Sequence, residues 1–207
     1  MTDIGLRERK KVRTRHLIAD AAARLFAERG YERVAVSDVA RAAEVSEQTV
    51  YNYFQTKEQL VTDRDKQVQD ELCRLIRARL PGTTPSAAIR DFVLGSVEGI
   101  RRIPAGQWRG ELGFLAAISP TVHRLSLEMS DRQASAVATA IAETDAVAPE
   151  IARLRGIALA SVFQIIITEA GRRTLEGASQ DQIADTLRPA IEAVLDDLDR
   201  WLTPAPG

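Results

Sequence analysis

Between Val45 and Leu60 the chain reads VSEQTVYNYFQTKEQL. Glu47, Gln48, Thr49, Tyr51, Asn52 and Tyr53 crowd into one short run behind Ser46, and Lys57 follows. The run is too aromatic for an idle loop and too polar for a core helix. Glutamine and asparagine amides can donate to and accept from adenine N6 and N7, and a threonine methyl can meet a thymine methyl. Tyrosine hydroxyls reach phosphate oxygens while their rings pack on a scaffold. A lysine at a helix start joins a cation to free backbone N–H groups, a combination suited to phosphate. Such chemistry is recognition of a polyanion with polar edges, not bond making. Catalytic patterns find no support. His16, His123 and Cys73 have no metal-ligand spacing, and neither a glycine-rich phosphate loop nor a serine nucleophile elbow occurs. No enzyme activity, metal or cofactor is expected.

The elements that must position this run are helices. Ile18, Ala21, Ala22, Leu25 and Phe26 recur at helical spacing and predict a helix over about 12–29, with Gly30 as its C-terminal cap. Val36, Val39, Ala40 and Ala43 predict a short second helix over 36–43. Glu44 and Val45 make a turn, Ser46 caps, and a third helix over about 47–53 turns Val50 and Phe54 inward. Two short helices joined by a tight turn, with small Ala40 where they touch, form a helix-turn-helix, whose second helix enters the major groove. Any two helices joined by a turn share this outline. Lys57 is expected to open a long helix reaching Leu80. Further helices are predicted over 85–103, 107–118, 120–144, 148–176 and 180–202, punctuated by Pro104, Gly106, Pro120, Pro149 and Gly177. Pro204–Gly207 read as a frayed end.

Charge is uneven along the 207 residues. Residues 1–16 carry six basic groups against two acids, whereas residues 57–207 carry a net −3. A basic arm ahead of a mildly acidic body is a footprint for phosphate, or a solvated tail. The single cysteine excludes an internal disulfide and fits a reducing compartment. The N-terminus lacks a signal-peptide core. The most apolar segment, 156–168, is too short to span a bilayer. A cytoplasmic protein with no membrane partner is expected.

From about Val12 to Leu60 the sequence resembles the N-terminal domain of the TetR/AcrR family of transcriptional regulators. The resemblance is carried by RTRHLIADAAARLFAERGYERV and VSDVARAAEVSEQTVYNYFQTKEQLV. It implies an all-α protein: a flexible basic arm (1–11), a three-helix DNA-binding domain (12–60, helix-turn-helix about 35–54) and a helical regulatory and dimerisation domain (61–203). It further implies that Gln48, Thr49 and Asn52 face bases, as can Ser37. Tyr51, Lys57 and the first helix start (Arg13, Thr14, Arg15) would hold phosphates, with Tyr53 serving either part. Three positions depart from the family pattern. Ala35 stands where a threonine or serine cap is frequent, Glu44 where a turn glycine is usual, and Gln55 where a helix breaker is frequent.

In the body, the predicted helix 148–176 is apolar nearly all round, and 180–202 carries a stripe from Ile183 to Trp201. Together they are expected to form a homodimer interface; one monomeric core containing both is the alternative. Phe92, Trp108, Glu111, Phe114, His123, Met129, Phe163 and Gln164 are candidates to line a small-molecule pocket, or are core. Trp108 beside Glu111 would suit a flat or cationic ligand. The expectation is a dimeric, ligand-released repressor on a double-stranded palindromic operator. Its rival is a helical ligand-binding or scaffolding protein whose helix-turn-helix is a packing unit.

Overall fold

The computed structural model describes residues 3–203, so the C-terminal segment expected to fray lies outside the described residues. Those residues form ten α-helices and two 3-10 turns, with no strand among them. The first helix, α1, spans Asp3–Arg29. It begins well ahead of residue 12, because Leu6, Arg7, Glu8, Arg9, Lys10 and Lys11 are good helix formers that outweigh Gly5 but carry no apolar stripe, and only the stripe is visible to a periodicity argument. Gly30 ends it at φ +78°, its N–H bonded to the Phe26 carbonyl at 2.9 Å.

Next come α2 (Val36–Ala42) and α3 (Glu47–Tyr53). Ile18, Ala22, Phe26, Val39, Val50 and Phe54 are buried together, so three short elements share one small core. Glu44 adopts φ 54° in the turn, the left-handed conformation that a glycine takes at less cost.

The long helix expected over 57–80 is broken. A 3-10 turn at Glu58–Leu60 is followed by an irregular stretch, and α4 starts only at Asp65, running to Ala78. Leu60 belongs to the N-terminal core, whereas Leu72, Cys73 and Ile76 belong to the body core. The break lets the chain serve both. It is held from outside by Arg15, which reaches from α1 to Asp63.

The body contains α5 (Pro85–Gly99), α6 (Ala105–Trp108), α7 (Leu112–Ile118), α8 (Pro120–Thr144), α9 (Pro149–Leu175) and α10 (Gln180–Leu202). The last three match expectation to within a residue or so. The single helix expected over 107–118 is two. Between them Gly110 presses on the backbone of Ala23 in α1, so closely that a Cβ would collide with the Ala23 carbonyl. α8 and α7 pack along α9, and α10 lies on α5. Gly156 permits the α8–α9 approach, since a Cβ there would strike Ala134 and Ala138. α9 is long and apolar enough to cross a membrane by length and composition, where the segment 156–168 alone predicted too short a run. In the fold it is the body's central helix, with Leu159, Ala160, Phe163 and Ile166 buried.

The two cores are not separate. Leu115 and Ala116 of α7 and Val122 of α8 complete the N-terminal core. The Ser119 hydroxyl donates to the Glu32 carboxylate across the same seam. α6, which packs on α1, and α7, which helps complete the N-terminal core, therefore join the two parts together with the stretch after Leu60.

Candidate nucleic-acid interface and the cavity behind it

α3 is built as a presenting helix. The Ser46 hydroxyl accepts the Thr49 N–H at 3.1 Å and lies 2.8 Å from Thr49 Oγ1, so both residues cap the helix start. Val50 is buried and Tyr53 half-buried against the core. Glu47, Gln48, Tyr51 and Asn52 are left exposed, with Thr49 partly so. Gln48 Nε2 donates to Asn52 Oδ1 at 3.2 Å. Whichever way round these amides are assigned, the bonded pair still presents one acceptor and one donor outward, the pattern that matches an adenine edge. Glu47 suits the positive end of α3 but repels phosphate, so it can only flank the contact surface.

α2 supports this helix. Ala35 cannot cap, and no side-chain bond forms from it. Asp38 compensates by accepting the Ala35 N–H at 3.0 Å. An acid three residues after the cap position was the available sequence signal for that role. Ser37 lies half-buried near the front of α2, and the α2 and α3 helices touch through Ala40 and its neighbours.

Two basic residues expected to grip phosphate are turned inward. Arg15 donates through Nε to Asp63 (2.8 Å) and through Nη1 to the Tyr53 carbonyl at the end of α3 (2.9 Å), and its guanidinium covers the Phe54 ring at 4.4 Å. Its neighbours on α1 differ: Arg13 is exposed and Thr14 half-buried. Lys57 donates to the Tyr31 carbonyl at 2.6 Å and sits 4.1 Å over the Tyr31 ring. Burial lowers its pKa, against the pull of Glu32 and Glu58. Two of its three N–H donors remain for a phosphate. The Tyr31 hydroxyl is pushed up to about 12, first by burial and then by the Glu58 carboxylate.

The pocket candidates are dispersed. A cavity of about 530 Å³ opens between α1, the 61–65 stretch, the α6–α7 junction and α8–α9. Glu111, Met129 and Phe163 line it. Phe92 backs it, its ring 5.9 Å from that of Phe163. Trp108 packs on the body core with its indole N–H buried and unpaired. Phe114 belongs to the N-terminal core, under Arg109. His123 lines a separate groove between α7 and α9, and Gln164 donates to Ser126 at 3.4 Å. His123 is exposed, whereas the other seven are buried or half-buried, and helical periodicity cannot say into which space each side chain points.

Comparison with known proteins agrees with this geometry. Residues 18–63 match the family described as bacterial regulatory proteins, tetR family. The chain is 25% identical to the HTH-type transcriptional regulator TcmR of Streptomyces glaucescens, over 94% of this chain and 86% of that protein. It is 36% identical to the dhaKLM operon transcriptional activator DhaS of Lactococcus lactis, over 30% of this chain and 33% of that one. Its fold resembles that of NalD, the secondary repressor of a multidrug efflux pump in Pseudomonas aeruginosa, with TM-score 0.58 and 20% identity over 94% of this chain and 99% of that one. The exposed polar face of a capped second helix, carried on a three-helix N-terminal unit and an all-helical body, is that of a DNA-binding transcriptional regulator, and residues 18–63 are similar to the DNA-binding segment of the tetR family.

Proposed function

We propose that the protein is a cytoplasmic, homodimeric repressor that reads a palindromic operator and leaves it when a small molecule fills the body. The observation that carries the dimer is an apolar stripe with nothing packed on it. Ile151, Leu154, Ile157 and Ile165 of α9 are 40–55% exposed, and Trp201 of α10 is 48% exposed. The α10 stripe expected at the interface is instead spent within the protomer, since Ile183, Leu187, Ile191 and Leu195 are buried in its own core, so the free apolar face lies mainly on α9, with Trp201 from α10, and suits a two-fold helical interface. One chain offers one recognition helix; two of them about 34–36 Å apart read both halves of a palindrome. Gln48, Thr49 and Asn52 face bases in this reading. Tyr51, Arg13 and the free donors of Lys57 meet phosphates, with Ser37, Thr14 and Tyr53 at the margin. Arg15 holds the assembly together from behind.

Release follows from the cavity. Its wall includes Asp63, which holds Arg15, which in turn holds the Tyr53 carbonyl. A ligand that fits better when this wall shifts lowers DNA affinity by its differential affinity for the two arrangements. The test is selection from a random double-stranded DNA pool at physiological salt, with light scattering on the free protein. An enriched palindrome bound by a dimer supports the reading. A monomer, or retention without sequence preference, overturns it.

A further inference from the structure

The lining of the cavity specifies a kind of ligand. Its volume of about 530 Å³ lies within the 300–1,000 Å³ that drug-sized molecules occupy. Ile103, Met129, Phe163 and Ile166 give it an apolar interior. Four carboxylates reach its wall: Asp20, Asp63, Asp65 and Glu111. Two are already committed. Asp63 is paired with Arg15, and Asp65 accepts from Gln133 at 3.0 Å and from Arg132 at 3.2 Å. Asp20 and Glu111 are left against the single arginine Arg64, with His16 nearby on α1.

Glu111 is the residue with chemistry to spare. It occupies the position just before α7, where Ser46, Thr84, Ser119 and Ser179 cap their own helices, yet its side chain makes no capping bond. It forms no ion pair within 4 Å among the described residues, although Arg64 is near enough to be felt. Burial pushes the Glu111 carboxyl above its ordinary range, Arg64 pulls it back, and Asp20 adds to the rise. Holding an unpaired carboxylate in a partly dry cavity costs stability, and an arriving cation removes that cost. The Phe163 ring supplies a face that also favours positive charge.

We propose that this cavity binds an organic cation with an apolar body, the charge placed on Glu111 and the body among Ile103, Met129, Phe163 and Ile166. The proposal rests on the ligand-released reading for its regulatory meaning, but the binding chemistry can be tested alone.

Tetraphenylphosphonium and tetraphenylborate share a shape and differ in sign, so calorimetric titration of the full-length protein with each isolates the charge. The phosphonium binds once per protomer, at least tenfold tighter than the borate. Glu111→Gln lowers phosphonium affinity tenfold or more without weakening the borate, and thermal unfolding verifies that the variant folds. Ile103→Trp, which fills the space, weakens both ions. No saturable phosphonium binding, equal affinity for the two ions, or a preference that survives Glu111→Gln overturns the proposal. The selected operator separates this from the release reading. Glu111-dependent phosphonium binding that leaves the operator bound upholds the site and defeats phosphonium-driven release. Operator release by some compound, together with phosphonium binding that is absent or unaffected by Glu111→Gln, upholds release and defeats the cation site.

Discussion

Arg15 and Asp63 are 48 positions apart in the chain, yet the Arg15 guanidinium meets the Asp63 carboxylate in a partly buried ion pair while its other arm holds the Tyr53 carbonyl. One side chain thus ties the first helix, the last residue of the recognition helix and the stretch that leads into the body. Arg15→Ala leaves Asp63 and a helix-end carbonyl without partners. Hydrogen bonds to charged groups contribute about 1.5–3 kcal/mol each, so a loss of about 2–3 kcal/mol is expected in urea unfolding. Arg15→Lys is the more telling substitution. It retains the charge a phosphate contact would need but cannot bond Asp63 and Tyr53 in the same fork geometry. Operator affinity should therefore fall at least tenfold for Lys as well as Ala, measured by fluorescence anisotropy.

Gln48→Ala and Asn52→Ala should act differently. Both side chains are exposed and bonded chiefly to each other, so unfolding midpoints stay within the experimental spread of wild type. Discrimination against wrong bases at the contacted step should drop by about 1–3 kcal/mol. The two changes should be strongly non-additive, because either one removes half of the outward donor–acceptor pair. Competition among single-base operator variants reads this directly. An unchanged preference at every position would show that α3 reads no base with these amides.

Glu44 offers a gain. At φ 54° it carries the steric cost of a left-handed residue, which glycine relieves in exchange for a more flexible unfolded chain. Glu44→Gly should stabilise the protein by about 0.5–1 kcal/mol in denaturant unfolding, with operator preference unchanged.

Much of this architecture was legible in the sequence, and the failures share a cause. Helices α8, α9 and α10 were placed well because each carries a continuous apolar stripe bounded by Pro or a good cap. The break after Leu60 was missed because no glycine or proline marks it; it is enforced by Arg15 and by two cores lying in different directions. The break at Gly110 was hidden because the glycine is required by Ala23, a neighbour only in space. At the candidate site, exposure of Gln48, Tyr51 and Asn52 followed from the narrow apolar stripe of α3. Arg15 and Lys57 could not be read the same way, since composition records a cation but not whether its charge points outward.

Glu111 makes stability depend on pH in a defined direction. Its carboxyl has a folded-state pKa above the ordinary value of 4.5, so the folded state resists ionisation more than the unfolded state does. Below the unfolded value both states are neutral and the residue adds no penalty. The penalty grows as pH rises from there through the folded value and is complete above it. Glu111→Gln should consequently raise the melting temperature at neutral pH, with the difference from wild type vanishing near pH 4. A carboxylate with a purely structural role would give the opposite sign on removal. Thermal unfolding of both proteins between pH 4 and 8 distinguishes the two.

The sharing of Leu115, Ala116 and Val122 with the N-terminal core bears on how regulators of this build can be recombined. A chimera that joins residues up to about 60 to a foreign sensor would carry away the reading head but leave part of its floor behind. Ala22, Phe26 and their neighbours would then face whatever the new sensor supplied. The natural seam for transplanting this specificity is a surface rather than a point in the chain. A working graft must bring along a matching α7, or redesign Gly110 and the α1 face it touches.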